Sequence, residues 1–285
     1  MTQSTLTQER YFKLSGGGND FIALAEPAAD PQPHDVRALC RRGVSLGADG
    51  LFVLRQEQEG VRMHYWNADG LPAELCLNGT RCAALLSDHL EWSDGRVVIF
   101  TDAGPIMASS AGTDTITLDV PPPSSRLEEI TVELEAESWR GWRVDIGVPH
   151  FVIPWRKSLA QAPVATLGAA LCHADEFQPR GTNVMFVRYP SPNVLEIRSF
   201  ERGVEAETQA CGTGILAATA VGLSVRMLTL PAEAITLGGF PFLVTGKTED
   251  GRLFSWSLTG DARLLATGEI ERAATVEPET PVWSA

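Results

Sequence analysis

Positive charge, cysteine and long apolar runs are all scarce in this 285-residue chain. Lys and Arg number 23 against 36 Asp and Glu, which leaves a net charge of −13. Such an excess of acid repels phosphate backbones and anionic lipid, so nucleic acid and membrane surfaces are not expected partners. No stretch of about 18 apolar residues occurs, so no membrane-spanning helix is expected. Met1 to Arg10 lacks the apolar centre of a secretory signal, and the expectation is a cytoplasmic protein. The five cysteines, at 40, 76, 82, 172 and 211, are too few and too scattered for a secreted disulfide framework. No pair has the spacing of a zinc knuckle, so no metal is expected.

What is present is ordinary globular material, 44% apolar and 21% charged. At about 150 residues per domain the length allows about two domains. Short β-rich runs bounded by Gly, Pro, Asp or Asn recur, among them Leu51–Leu54, Met63–Trp66, Val97–Thr101, Thr115–Val120, Phe151–Ile153, Val184–Arg188, Leu195–Ser199 and Phe254–Leu258. Helical periodicity is confined to Pro33–Arg42, Asn78–Trp92 and Gly214–Val225. The last is apolar on every side, which predicts a helix wrapped by sheet. The fold class is therefore α+β. The Pro121–Ser125 stretch is the expected boundary, and the residues from Glu271 read as a poorly ordered tail.

The two halves echo each other. Glu74-Leu75-Cys76-Leu77-Asn78-Gly79 and Gln209-Ala210-Cys211-Gly212-Thr213-Gly214 both place Cys-x-Asn/Thr-Gly at a helix start. Gly181-Thr182-Asn183 likewise echoes Gly17-Gly18-Asn19. The first turn of a helix carries free N–H groups and positive potential. A cysteine there is expected to have its pKa lowered, and the same amides can cradle a carboxylate. Two such sulfurs on either side of an α-carbon form a definite device: one thiolate removes the proton and the other thiol returns one to the opposite face. A single Cys-x-x-Gly also fits a small buried residue, so the pairing carries the argument.

The segments Gly18-Asn19-Asp20-Phe21, Asn67-Ala68-Asp69-Gly70, Cys76-Leu77-Asn78-Gly79-Thr80-Arg81-Cys82, Gly147-Val148-Pro149-His150, Gly181-Thr182-Asn183, Glu201-Arg202-Gly203 and Glu207 to Gly214 resemble the diaminopimelate epimerase family, in the family's order. The resemblance implies a cofactor-independent isomerase that interconverts LL- and meso-diaminopimelate, on the route to lysine and peptidoglycan. It implies two similar lobes, each a mostly antiparallel sheet curled around a central helix, with the site in the cleft between. The lobes would span 1–122, joined by a last strand at about 258–270, and 123–257, with 271–285 as a flexible tail. Cys76 and Cys211 match the acid/base pair. Asn19, Asn67, Leu77, Asn78, Asn183, Glu201, Arg202, Gly212 and Thr213 match substrate-binding positions, and His150 and Glu201 match assisting ones. Cys40 and Cys172 receive no role, and Cys82 is expected in the core. The partner is a small amino acid, and a homodimer is compatible with the resemblance.

Three positions depart from the family pattern: Leu77 and Gly50 stand where Gly and Gln are usual, and Val148 stands where Asn precedes Pro-His. A lost amide contact can change substrate preference. The alternative is therefore a racemase of another polar amino acid, for example histidine, using the same cysteines. A non-catalytic binding protein on this scaffold is a further reading, and the retained thiols speak against it.

Overall fold

The computed structural model describes residues 6–122, 126–134, 137–249 and 252–276. The first half runs β1 (Arg10–Gly16), β2 (Asn19–Ala25), α1 (Pro33–Cys40), β3 (Gly50–Glu57), β4 (Gly60–Asn67), α2 (Leu77–His89), β5 (Arg96–Thr101), β6 (Gly104–Gly112) and β7 (Thr115–Val120). The second half runs β8 (Glu128–Leu134), β9 (Glu137–Asp145), β10 (Pro149–Pro154), α3 (Val164–Cys172), β11 (Asn183–Ser191), β12 (Val194–Glu201), β13 (Ala206–Thr208), α4 (Gly212–Ser224), β14 (Ala232–Ile235), β15 (Phe242–Glu249) and β16 (Arg252–Asp261). A final strand, β17 (Arg263–Glu269), follows.

Pairing shows the repeat more clearly than residue identity does. In the first half β2–β3 and β4–β5 are parallel, while β1–β2, β3–β4, β5–β6 and β6–β7 are antiparallel. In the second half β10–β11 and β12–β14 are parallel, while β9–β10, β11–β12, β14–β15 and β15–β16 are antiparallel. Parallel neighbours need a crossover, and each crossover contains a helix: α1 and α2 in one half, α3 and α4 in the other. The result is a two-lobed α+β fold with α2 and α4 as the central helices. β16 pairs with both β15 and β7, and β17 pairs with β1, so the end of the chain returns to the first lobe.

Burial explains these placements. All of Gly212–Gly222 is buried, as the absence of a polar face on α4 requires. The largest core combines α2 residues Cys82, Ala83 and Leu86 with α4 residues Ile215, Leu216 and Val221 beneath both sheets. Two smaller cores lie under the outer helices: Val36 and Leu39 of α1 pack on Leu51 and Val53, and Leu171 of α3 packs on Phe151 and Phe186.

The structure adds three things to the sequence reading. Helix α3 carries no periodic signal, because Ala and Gly fill four of its nine positions, and its burial rests on Val164, Gly168, Leu171 and Cys172. Residues 123–125 of the expected Pro-rich boundary lie outside the described residues. Within the segment expected as a tail from Glu271, Arg272–Thr275 form a 3-10 turn, and Ser45 donates to the Ala274 carbonyl at 2.8 Å. Residues 277–285 lie outside the described residues.

Candidate active site

Cys76 is the N-cap of α2 and Cys211 the N-cap of α4, both in extended backbone conformation. Cys76 Sγ accepts from the Gly79 N–H at 3.4 Å, as an N-cap side chain does for the third residue of a helix. Cys211 Sγ and Thr213 Oγ1 share a hydrogen bond at 3.5 Å. The two helix starts abut, and Asn78 Nδ2 bridges them. It donates to the Ala210 carbonyl at 3.0 Å and to Asn19 Oδ1 at 2.7 Å, while Asn78 Oδ1 accepts from Arg81 at 2.7 Å.

A cavity of about 730 Å³ opens over these termini, a size suited to a small molecule. Both cysteines line it, with Leu77, Asn78, Gly212 and Thr213 from the helix starts. Topology supplies the rest. Asn19 begins β2, Asn183 begins β11, Asn67 ends β4 and Glu201 ends β12, followed by Arg202, and all five line the cavity. The match between Gly17-Gly18-Asn19 and Gly181-Thr182-Asn183 is corrected by strand order. By position in the repeat, the start of β2 corresponds to the start of β10, with His150, and the start of β11 corresponds to the start of β3, with Asp49 and Gly50. The Gly-Asn likeness reflects two turns with similar needs. Gly18 and Gly181 both have positive φ, at 84° and 65°.

The electrostatics reverse one expectation. The helix-start position by itself predicts lowered thiol pKa values. Burial instead pushes Cys76 from an ordinary 9.0 up to about 11, the Gly79 amide opposing it. Burial, reinforced by the Glu201 carboxylate, pushes Cys211 well above its ordinary value. Desolvation outweighs the helix amides, so both groups rest as thiols. Glu201 is itself raised by burial, against hydrogen bonds from Thr208 and Cys211 that favour its charged form. A buried carboxyl hydrogen-bonded to a buried thiol is an arrangement able to take that thiol's proton.

His150 does not line the cavity. It is fully buried, and neither ring nitrogen has a hydrogen-bond partner among the described residues. Alternation along β10 turns Phe151 and Ile153 to the core beneath α3 and Val152 to the core around α4, so His150 shares the α4 side. It lies in register with Asn183, whose Oδ1 accepts from the Arg202 N–H at 2.9 Å. Burial, then Arg202, lowers its pKa to about 3 and keeps the imidazole neutral.

The three departures each find a structural setting. Leu77 is 2% exposed and packs against Gly212. A Cβ on Gly50 would stand 2.5 Å from the Tyr65 hydroxyl, so the Tyr65 ring occupies the space a side chain there would use. Val148 lines the cavity as an apolar wall. Sequence motifs missed Tyr65, Asp49 and Arg42, which also line the cavity. Arg42 donates to Asp49 at 2.7 Å and also pairs with Asp20, a charge cluster that nothing in the local sequence announces. Thr208, the donor to Glu201, sits in the quoted Glu207–Gly214 block without an expected role.

Comparison with known proteins gives the family. The model of the family described as diaminopimelate epimerase matches residues 11–123 and 143–264. The chain is 36% identical over 262 residues to the diaminopimelate epimerase of Chlorobaculum tepidum, covering 90% of this chain and 99% of the relative. It is 32% identical to that of Synechococcus elongatus, covering 93% and 99%. Among solved structures, a probable proline racemase from Agrobacterium radiobacter superposes with a TM-score of 0.71 at 14% identity, covering 92% of both chains. A hydroxyproline epimerase from Agrobacterium vitis superposes at 0.69, also at 14% identity and 92% of both. These two likenesses concern the fold. A family match spanning most of the chain, with relatives above 30% identity over nine-tenths of it, shows that this isomerase belongs to the diaminopimelate epimerase family.

Proposed function

We propose that the protein interconverts LL- and meso-diaminopimelate by a cofactor-independent, two-base proton transfer at the α-carbon. One of Cys76 and Cys211, as thiolate, removes the α-proton, and the other, as thiol, protonates the opposite face of the carbanion. Configuration inverts, both sulfurs exchange protonation state, and no electron is transferred. The observation that carries this reading is the placement of the two cysteines: each caps one of the two equivalent central helices, and both line one cavity.

The weakly acidic α-hydrogen demands stabilisation of an enolate-like carboxylate. The amides at Leu77, Asn78, Gly212 and Thr213 lie at the positive ends of α2 and α4, and one such donor is typically worth about 3–4 kcal/mol. Glu201 generates the Cys211 thiolate by accepting its proton. Asn19, Asn67, Asn183 and Arg202 orient the substrate, and His150 acts as a positioning residue through Asn183. In this reading the lobes divide as 1–122 with 258–270, and 123–257. The reaction serves lysine and peptidoglycan precursor synthesis in the cytoplasm, where all five cysteines persist as the free thiols the reaction needs.

Exchange of α-hydrogen in heavy water, followed by NMR with LL- and meso-diaminopimelate beside a panel that includes histidine, tests the reading. Exchange with both diaminopimelate isomers is expected. Exchange with another amino acid but not with diaminopimelate refutes the substrate; undiminished exchange in Cys76→Ala refutes the mechanism.

A further inference from the structure

We infer that Cys172, His173 and Glu205 form a binding site for a divalent cation of borderline softness, of the zinc class, outside the catalytic cavity. One ligand atom from each residue lies within 4.8 Å of the other two. Thiolate, imidazole and carboxylate are a donor set that zinc takes, at about 2.0–2.3 Å per bond, which puts tetrahedral neighbours roughly 3.3–3.8 Å apart. His173 Nε2 stands 2.7 Å from Glu205 Oε2, closer than that spacing, and the sulfur lies no more than 4.8 Å from either, so small side-chain rotations reach it.

The surroundings hold the donors in place. Cys172 is the last residue of α3 and His173 its C-cap, so the cation would sit at the negative end of the helix dipole. The Cys172 carbonyl accepts from the Thr182 N–H at 3.1 Å, and the His173 carbonyl accepts from Gln178 Nε2 at 2.9 Å. Glu205 is oriented from two sides: its N–H donates to the Glu201 carbonyl at 2.8 Å, and its Oε1 accepts from the Gly203 N–H at 2.9 Å. A carboxylate pre-oriented by a backbone amide is what a ligating carboxylate needs. The buried sulfur supplies a fixed anchor. The side chains of His173 and Glu205 are 54% and 49% exposed, so both can adjust and a fourth position stays open to water.

Binding displaces the Cys172 thiol proton to the buffer, His173 ligates through Nε2 with its ring proton on Nδ1, and no oxidation state changes. The cation would tie the end of α3 to the Glu201–Glu205 turn, which carries Glu201 and Arg202 into the cavity. Cys172 and His173 are adjacent but Glu205 lies 32 residues beyond His173, which is why spacing along the chain gave no sign of a metal here.

Cobalt(II) titration of full-length protein carrying Cys76→Ala and Cys211→Ala tests the site, because that background removes the two thiols at the central helix starts, and the His173→Ala derivative separates the site from the remaining cysteines. One equivalent of cobalt is expected to give a thiolate-to-cobalt charge-transfer band, and zinc is expected to displace it. His173→Ala and Glu205→Gln, both at the surface, are each expected to weaken binding at least tenfold, and zinc is expected to raise Tm of the background but not of its His173→Ala derivative. Absence of the thiolate band, or an unchanged titration in His173→Ala, overturns the proposal. Cys172→Ser is expected to lose the band; should that buried substitution unfold the chain, the His173→Ala titration decides.

Discussion

Leu77 and Gly212, the first residues of the two central helices, are packed against each other: a Cβ on Gly212 would stand 2.9 Å from Leu77 Cβ and 3.3 Å from Leu258 Cδ2. The helix starts can approach this closely only because one of them has no side chain. Gly212→Ala is therefore expected to destabilise the protein by about 1–3 kcal/mol through overpacking. It is also expected to lower the epimerisation rate, since the two capping cysteines move with their helices. Urea denaturation and turnover measure the two effects, and a variant as stable and active as the parent would show that the contact relaxes freely.

The thiols make a pH prediction. Cys76 is the half-buried cysteine and the other four are buried, so iodoacetamide is expected to modify Cys76 first. With its pKa pushed to about 11 by burial, its alkylation rate is expected to climb about tenfold per pH unit beyond pH 9.0. The folded state then holds a proton that the unfolded chain releases near pH 9.0, so stability falls as pH rises through the window from 9.0 to about 11. Peptide mapping by mass spectrometry against pH checks the rate; a plateau near pH 9 would contradict the burial argument.

Glu201 is placed to serve one cysteine of the pair through its hydrogen bond to Cys211. Glu201→Gln keeps the shape and removes the proton acceptor. A fall in kcat of about 10²–10⁴-fold is expected, the range of a lost general base. Thr208→Val, which removes the hydroxyl donor to Glu201, is expected to have a smaller effect in the same direction. Steady-state kinetics in both directions measure it, and unaltered kcat in Glu201→Gln would remove the carboxylate from the mechanism.

His150 makes the opposite pH prediction. Its folded pKa of about 3 lies below the ordinary 6.5, so its contribution is present above pH 6.5 and is lost as pH falls toward 3. The full difference corresponds to about 4–5 kcal/mol. His150→Leu removes both the titration and two unpartnered buried nitrogens, and its stability is expected to be less pH-dependent across that window. Urea midpoints against pH check this. For a positioning role, kcat of the variant is expected to fall while KM changes little; parental kcat would leave His150 a purely structural residue.

Much of the site was legible from short-range chemistry. Cys-x-x-Gly before an apolar run reads as a capped helix start, and α2 and α4 begin within two residues of the expected positions, with the cysteines as N-caps. Such features depend on neighbours along the chain, which the sequence displays directly. The same holds for Gly18 and Asn19, where a turn must be made before a strand. Helix α3 escaped because its small residues pack by close approach: a Cβ on Gly168 would stand 2.6 Å from Phe200 Cβ, and nothing in the local pattern reveals Phe200.

By itself, then, the sequence determined the α+β class, the two helix starts and the chemical identity of the groups gathered there, because each follows from residue type and local backbone need. Tertiary structure alone decided which strand begins are equivalent, that Tyr65 fills the space beside Gly50, that Cys172 meets His173 and Glu205, and that the thiols rest protonated. The last depends on desolvation, and how much water a sulfur loses is set by the elements packed around it from distant parts of the chain.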